Sequence, residues 1–250
     1  MTKFRARKQQ LETALLPPHW PEDAAVPAAI AAIGGMEAVS PLLALLPRGG
    51  LLGWRSVIVL GRVVADLART DMEDARTVMR RCMWHMNEDS GNMGWGVAEA
   101  MGEILALSPA LAGEYGRVVL SYVRDTGFAD NFVDHAALRR GAYWAVGRFA
   151  PRYVRYHAEA CELLVTGLED EDGPCRGMAV WGLGRLALVD YPPGGKERVT
   201  LAARVRAMRP CADCCEILEG VRISTSSVSS FADQALARIE SRAAPESFSG

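Results

Sequence analysis

The sequence predicts an all-α fold, a right-handed α-solenoid in which helix pairs stack into a superhelix. Three observations predict it. Apolar residues recur at helical spacing through most of the chain. No Asn-Gly or Asp-Gly turn separates two alternating runs, so strand signals are nearly absent. One glycine-centred pattern returns about every forty residues, the period of a stacked helix-pair array.

The pattern is an apolar helix carrying Gly, then a polar residue, then an apolar one. Its copies are Ser56-Val-Ile-Val-Leu-Gly61-Arg-Val, Val97-Ala-Glu-Ala-Met-Gly102-Glu-Ile, Ala142-Tyr-Trp-Ala-Val-Gly147-Arg-Phe and Ala179-Val-Trp-Gly-Leu-Gly184-Arg-Leu. A helix stacked tightly on its neighbours leaves no room for a side chain at that point, which explains the glycine. Anchored on these copies, the helix pairs fall at 36–47 with 52–69, 71–86 with 93–107, 109–125 with 134–149, and 152–168 with 174–188. Residues 3–16 and 24–34 form an N-terminal cap. A terminal pair follows at 195–208 and either 212–220 or 228–241. Pro109 and Pro151 suit helix starts, where a missing N–H costs nothing. Pro17-Pro18 and Pro192-Pro193-Gly-Gly are breaks, and Ser224-Thr-Ser-Ser-Val-Ser-Ser reads as a polar loop. Residues 1–250 are therefore read as one array: a cap over 1–35, four helix pairs over 36–190, and a C-terminal cap over 191–250.

Composition bounds the function. The chain has 250 residues, half of them hydrophobic, with 28 Lys+Arg against 30 Asp+Glu. A chain this size buries roughly three-quarters of its unfolded surface, so a large core is available and disorder is excluded. A net charge of −2 argues against a general affinity for nucleic acid. No apolar run reaches the ~18 residues of a membrane span, and the start lacks the apolar core of a signal peptide. Six scattered cysteines read as reduced thiols of a cytoplasmic protein. The basic N-terminus, with Lys3, Arg5, Arg7 and Lys8, reads as a solvated face.

The segment Asp172-Gly-Pro-Cys-Arg176-Gly-Met-Ala-Val-Trp-Gly-Leu-Gly184-Arg-Leu resembles the second helix of a HEAT-like repeat of the phycobilisome-lyase type. The resemblance implies that Asp172 and Arg176 bond between adjacent repeats. Arg139 occupies the arginine position in the third copy, but Gly94 and Gly53 occupy it earlier, and His135 stands in the aspartate position. The segments Trp84–Glu103, with Asn87-Glu88-Asp89-Ser90-Gly91 and Gly94-Trp95, and Asn131–Gly141 also resemble a bacterial HEAT-like family to which no reaction is assigned.

Drawn on a helical wheel at ~100° per residue, positions seven and three before each glycine and one after it lie opposite the core positions. That stripe reads Trp54-Ile58-Arg62, Trp95-Glu99-Glu103, Arg140-Trp144-Arg148 and Gly177-Trp181-Arg185. Second helices line the concave face of such arrays, so the candidate groove residues are Trp54, Trp95, Glu99, Glu103, Arg140, Trp144, Arg148, Trp181 and Arg185. Exposed Trp and Arg are the usual anchors of interfaces; the alternative is that the chain's own helices cover the stripe. Asn87, Glu88, Asp89, Ser90 and Asn92 make a polar loop that either fixes the end of a ligand or only turns the chain. Glu99 and Glu103 stand one turn apart and suit pairing with Arg62 and Arg148, with cation binding or acid–base work as alternatives.

Other signals point away from chemistry. Cys211-Ala-Asp-Cys214-Cys215 has one C-x-x-C at an expected helix start, but no second pair or nearby His completes a metal site. His19, His85, His135 and His157 are far apart, and no His-Glu dipeptide occurs. Phosphate-loop, dinucleotide-binding and nucleophile-elbow motifs do not occur. The expected function is a non-enzymatic scaffold with no cofactor, metal or catalytic residues. Its expected partner is a protein or peptide, or else a small ligand, and neither nucleic acid nor a membrane. The alternatives are an enzyme of the HEAT-like alkylpurine DNA glycosylase kind and a chromophore- or cofactor-lyase-type protein.

Overall fold

The computed structural model describes residues 2–17, 20, 24–87, 94–128, 131–193, 195–219 and 222–241. In chain order the elements are α1 (Lys3–Leu15), α2 (Ala25–Ile33), α3 (Gly35–Leu43), α4 (Gly50–Thr70), α5 (Met72–Met86), α6 (Val97–Leu107), α7 (Pro109–Ser121), α8 (Ala136–Phe149), α9 (Val154–Thr166), α10 (Gly173–Ala187), α11 (Gly195–Arg206), β1 (Cys214–Glu219), β2 (Arg222–Ser227) and α12 (Val228–Ser241). The fold is an all-α solenoid of helix pairs, and the helices lie within about a turn of the expected positions.

Local chemistry sets their ends. The run expected over 36–47 stops at Leu43, because the ring of Pro47 would meet the Leu43 carbonyl in a continued helix; a 3-10 turn over Leu46–Arg48 follows. Helix α5 starts at Asp71, whose side chain accepts from the N–H groups of Glu73 and Asp74. Helix α6 starts at Val97 rather than 93, since Gly96 before it takes a left-handed conformation with φ of 74°.

One expectation is corrected. Residues 212–220 are not a helix, and Ser224–Ser227 is not a loop: β1 and β2 pair in a two-stranded sheet. Cys215 and Ile217 are buried while Cys214 and Glu216 are exposed, the alternation of a strand with one face covered. Only 228–241, the other alternative, is helical.

The chain divides into two compact units, Met1–Val119 with Leu218–Ser224, and Leu120–Ile217 with Thr225–Gly250. In the first, α1 packs on α2 and α3, α3 on α4, and α4 on both α5 and α6. Leu42, Leu60, Val64, Met79, Met101 and Ile104 form its core. Buried Arg55 lies over the Trp20 ring at 5.1 Å and donates to the carbonyl oxygens of Leu15 and Pro17, which fastens the end of α1 to α4. In the second unit, α8 and α9 pack on α10, and α10 and α11 pack on α12, around Phe149, Leu164, Leu183, Leu186 and Phe231.

The repeated glycines mark where second helices meet. A Cβ at Gly61 would lie 2.3 Å from Cγ of Glu103 on α6. A Cβ at Gly147 would lie 2.7 Å from both the Gly182 Cα and the Trp181 ring on α10. A Cβ at Gly184 would lie 3.2 Å from the Ala235 Cβ on α12. Backbone cannot yield there as a side-chain tip can.

Charge pairs join neighbouring repeats at the amino-terminal ends of α8 and α10. Arg139 forms a bidentate pair with Asp170 at 2.7 and 2.8 Å, both side chains less than a tenth exposed. Arg140 does the same with Asp172 at 2.7 and 2.8 Å, and Asp172 also caps α10 through the Cys175 N–H. Arg176 pairs with Asp213 at 2.8 Å and donates to the Asp170 carbonyl oxygen. Burial pushes the Asp170 carboxyl up, but the hydrogen bonds from Arg139 and from the Asp172 N–H outweigh it, so its pKa falls below the usual value.

Two outcomes follow. Gly147→Ala is expected to cost about 1–3 kcal/mol and to lower Tm by several degrees, whereas Gly182→Ala, whose Cβ would meet the flexible end of Leu164 at 2.9 Å and the Gly147 Cα only at 3.3 Å, is expected to cost less. Equal thermal melts for the two variants would disprove the close-approach argument. Arg139→Met leaves Asp170 buried and unpaired, and denaturant unfolding is expected to show a loss of about 3–5 kcal/mol.

Candidate functional site

The expected stripe divides between the two units. In the first, Trp54, Trp95 and Glu99 keep partial exposure, whereas Glu103 is buried at 4%. The reason is the crossing at Gly61, which Glu103 covers with its own stem. Glu99 forms no ion pair among the described residues, contrary to the expected pairing with arginine. Burial of its carboxyl pushes its pKa up to about 7.

In the second unit, Trp144 is buried at 4%, which corrects its expected place on an open surface. Its ring stacks on Trp181, with centroids 5.9 Å apart and planes 7° from parallel. Trp181 is half-buried, and the edge of its ring fits the space that Gly147 leaves free. The Arg185 guanidinium lies over the Trp181 ring at 5.7 Å from its centroid. Arg140 keeps partial exposure, with its guanidinium held by Asp172. That contact keeps the Asp172 carboxyl down at about 2, against the opposing effect of burial.

Arg148, Arg185 and Arg238 each stand in the last turn of a second helix, α8, α10 and α12. Arg152 follows α8 in a 3-10 turn. The pKa of Arg185 is lowered, first by burial and then by repulsion from Arg148, Arg238 and Arg152. Its Nε is buried with no hydrogen-bond partner. Arg152 and Arg238 were not among the residues expected from sequence. The signal for Arg238 was there: Leu236-Ala237-Arg238-Ile239 repeats Leu183-Gly184-Arg185-Leu186 with alanine for glycine. Ala237 is exposed, so no close approach requires glycine at that position.

Of the polar loop, Asn87 is exposed, while Glu88, Asp89, Ser90 and Asn92 lie outside the described residues. The cysteine cluster sits on a turn and on β1 rather than at a helix start. The Cys211 thiol lies 3.3 Å from the Asp213 carboxylate and 3.5 Å from Arg176, Cys214 is exposed, and buried Cys215 faces the Ser226 carbonyl. Among the described residues no group of three or more His, Cys, Asp or Glu side chains could hold a metal ion, and no single helix is long and apolar enough to cross a membrane. Two further features escaped the sequence reading. Trp84, on α5, is exposed at 55%. A cleft of about 490 Å³ opens between α9 and α11, lined by Cys161, Val165, Tyr191, Pro192, Glu197 and Leu201 among others. Burial, then Glu197 and Glu162, pushes the Cys161 thiol up to about 11.

No protein-family model matches the chain, and no curated protein matches it. Its fold is similar to two engineered proteins of known crystal structure, each 17% identical: one match covers 97% of this chain and 92% of the other with a TM-score of 0.55, the second 95% and 92% with a TM-score of 0.57. A designed armadillo repeat protein in complex with the peptide (KR)4 is 15% identical over 95% of this chain and 100% of its own, with a TM-score of 0.49. At these identities the two engineered proteins bear on the fold alone.

Glu99→Gln tests the environment of that carboxyl. A folded pKa raised from 4.5 to about 7 means the native state holds the proton more tightly than the unfolded chain. The wild type therefore loses stability as pH rises through that window, by at most about 3 kcal/mol. The variant is expected to match the wild type near pH 4 and to melt higher above pH 7; parallel Tm–pH curves would show an ordinary solvated carboxylate.

Proposed function

We propose that the protein is a non-enzymatic binding scaffold that takes up a protein or peptide segment on the side-chain rank at the ends of its second helices. The observation that carries this reading is the arrangement in the second unit of half-buried Trp181 and Arg185 beside Arg148, Arg152 and Arg238. Trp and Arg supply most of the energy at protein interfaces, because one adds apolar area and the other adds directed donors. Both are already held in place here. Trp181 is stacked on Trp144, and Arg185 lies over Trp181, so binding orders little that folding has not ordered. Trp54, Trp95 and Glu99 are the corresponding partly exposed residues of the first unit. Glu103 and Trp144 act beneath the surface as packing groups, and the partly exposed Arg140 pairs with Asp172.

The test is selection of random peptides on the folded protein, followed by hydrogen exchange to locate them. Selected peptides are expected to protect the last turns of α8, α10 and α12 and to lose at least about tenfold in affinity, or 1.4 kcal/mol, with Trp181→Leu, measured well below the lowered Tm of that variant. Protection elsewhere, or equal binding by that variant, would sink the reading.

A further inference from the structure

Arg152, Arg185 and Arg238 gather positive charge at the helix ends. Among the described residues, no hydrogen bond or ion pair is found for the side chains of Arg152, Arg185 or Arg238. Carboxylates from the same stretches of chain are taken: Asp190 by Arg198 at 2.7 Å, Asp233 by Arg209 at 2.7 Å, and Glu240 by Arg206. Arg238 is pressed into the same place, its Nη1 3.3 Å from where a Gly184 Cβ would be, next to Arg185 in sequence. Arg185 is half-buried, with its Nε shielded from solvent and unpartnered. A buried donor on a permanent cation without an acceptor is a costly arrangement, and a ligand oxygen relieves it.

Helix geometry accounts for part of the placement. Arginine in a last turn meets the partial negative charge of the carbonyl end, a gain of about 0.3–1 kcal/mol each. That gain explains one arginine per helix. It does not explain convergence of three last-turn arginines and Arg152 to where they depress the pKa of Arg185. Convergence of like charge around a shielded donor is the electrostatic form of an anion site.

We infer that the segment bound by this scaffold is acidic, and that one of its oxyanion groups, a carboxylate or a phosphate, seats on Arg185 in the positive field of Arg238 and Arg152. The inference rests on the scaffold reading and names its ligand class. The occupant is a peptide rather than a nucleic acid for two reasons. Trp181 is already engaged by Trp144 and Arg185, which removes the stacking platform a base needs. The chain as a whole carries a net charge of −2, against the broad positive field that a phosphate backbone requires.

Fluorescence anisotropy on the full chain decides it, with four labelled probes: an octapeptide alternating Glu and Ala, the same peptide with phosphoserine for Glu, the same with Gln for Glu, and a single-stranded DNA oligonucleotide. The Glu or phosphoserine peptide is expected to bind, with steep salt dependence, and the Gln peptide is not. The stronger of the two acidic probes identifies the oxyanion. Arg185→Gln is expected to weaken binding at least about tenfold while leaving Tm equal or higher, since it removes repulsion; Arg152→Gln, at an exposed position, and Arg238→Gln serve should Arg185→Gln fail to fold. Inference and scaffold reading both fall if the probes and the selected peptides bind nowhere on this rank. The inference alone falls if neutral peptides bind through Trp181 while acidic ones do not, if the arginine variants bind as wild type, or if the DNA binds more tightly than either acidic peptide.

Discussion

At Gly147 the space that any side chain would fill is occupied by the backbone of Gly182 and the edge of the Trp181 ring. That contact brings α8 and α10 together without side chains intervening on one side of the crossing. Its consequences reach outward. With the helices so close, Trp144 and Trp181 stack nearly parallel, burying one ring and steadying the other. The close seat of α12 on α10, against Gly177 and Gly184, brings Arg238 beside Arg185. Dispersion over so many close atoms holds the arrangement, and the glycines permit it by having nothing to place there.

The two ends of these helices solve opposite problems with the same residue type. At the amino-terminal ends, Arg139, Arg140 and Arg176 stand where the helix dipole disfavours a cation, and each is matched to an aspartate of the next loop. That end is neutralised and fastened. At the carboxyl ends the dipole favours the cation, so Arg185 and Arg238 persist without a carboxylate. Selection for stability alone would not require an arginine on both helices at this point, because a neutral glutamine could donate to the same carbonyl ends without mutual repulsion. The asymmetry between the two ends is what the proposed binding role would use.

Much of this was legible in the sequence because it rests on spacing. The glycine pattern located four second helices, and the residue after each glycine named Arg148 and Arg185. The helical wheel failed at Trp144 and Glu103 for a specific reason. A wheel allots one core face per helix, but a second helix in an array packs on its own pair partner and also on second helices of neighbouring pairs, so its buried arc is wider. Glu103 lies over Gly61 in that widened arc. Arg140 looked like a groove residue because its acceptor, Asp172, is thirty-two positions away and belongs to another repeat. The fifth copy, ending in Arg238, was hidden because exposed Ala237 replaces the marker glycine. The hairpin was hidden because the alternation over Cys214–Ile217 is too short to outweigh a preceding proline and a cysteine pair.

A preformed positive rank differs in kind from a flexible cluster of surface arginines. A solvated arginine must lose rotamer freedom and shed water when it grips an anion, and surface pairs formed that way contribute little. Arg185 has undergone part of both changes during folding, since its guanidinium rests on Trp181 and its Nε is shielded. The cost appears in the folded protein as a depressed pKa and a donor without an acceptor. An incoming oxyanion restores the acceptor and cancels the repulsion from Arg238 and Arg152 at once, so the interaction strengthens only when the ligand carries negative charge. A neutral segment gains the contact with Trp181 but leaves the repulsion in place. The same packing that forces the arginines together therefore underlies both the stability of the unit and the acidic preference proposed for it.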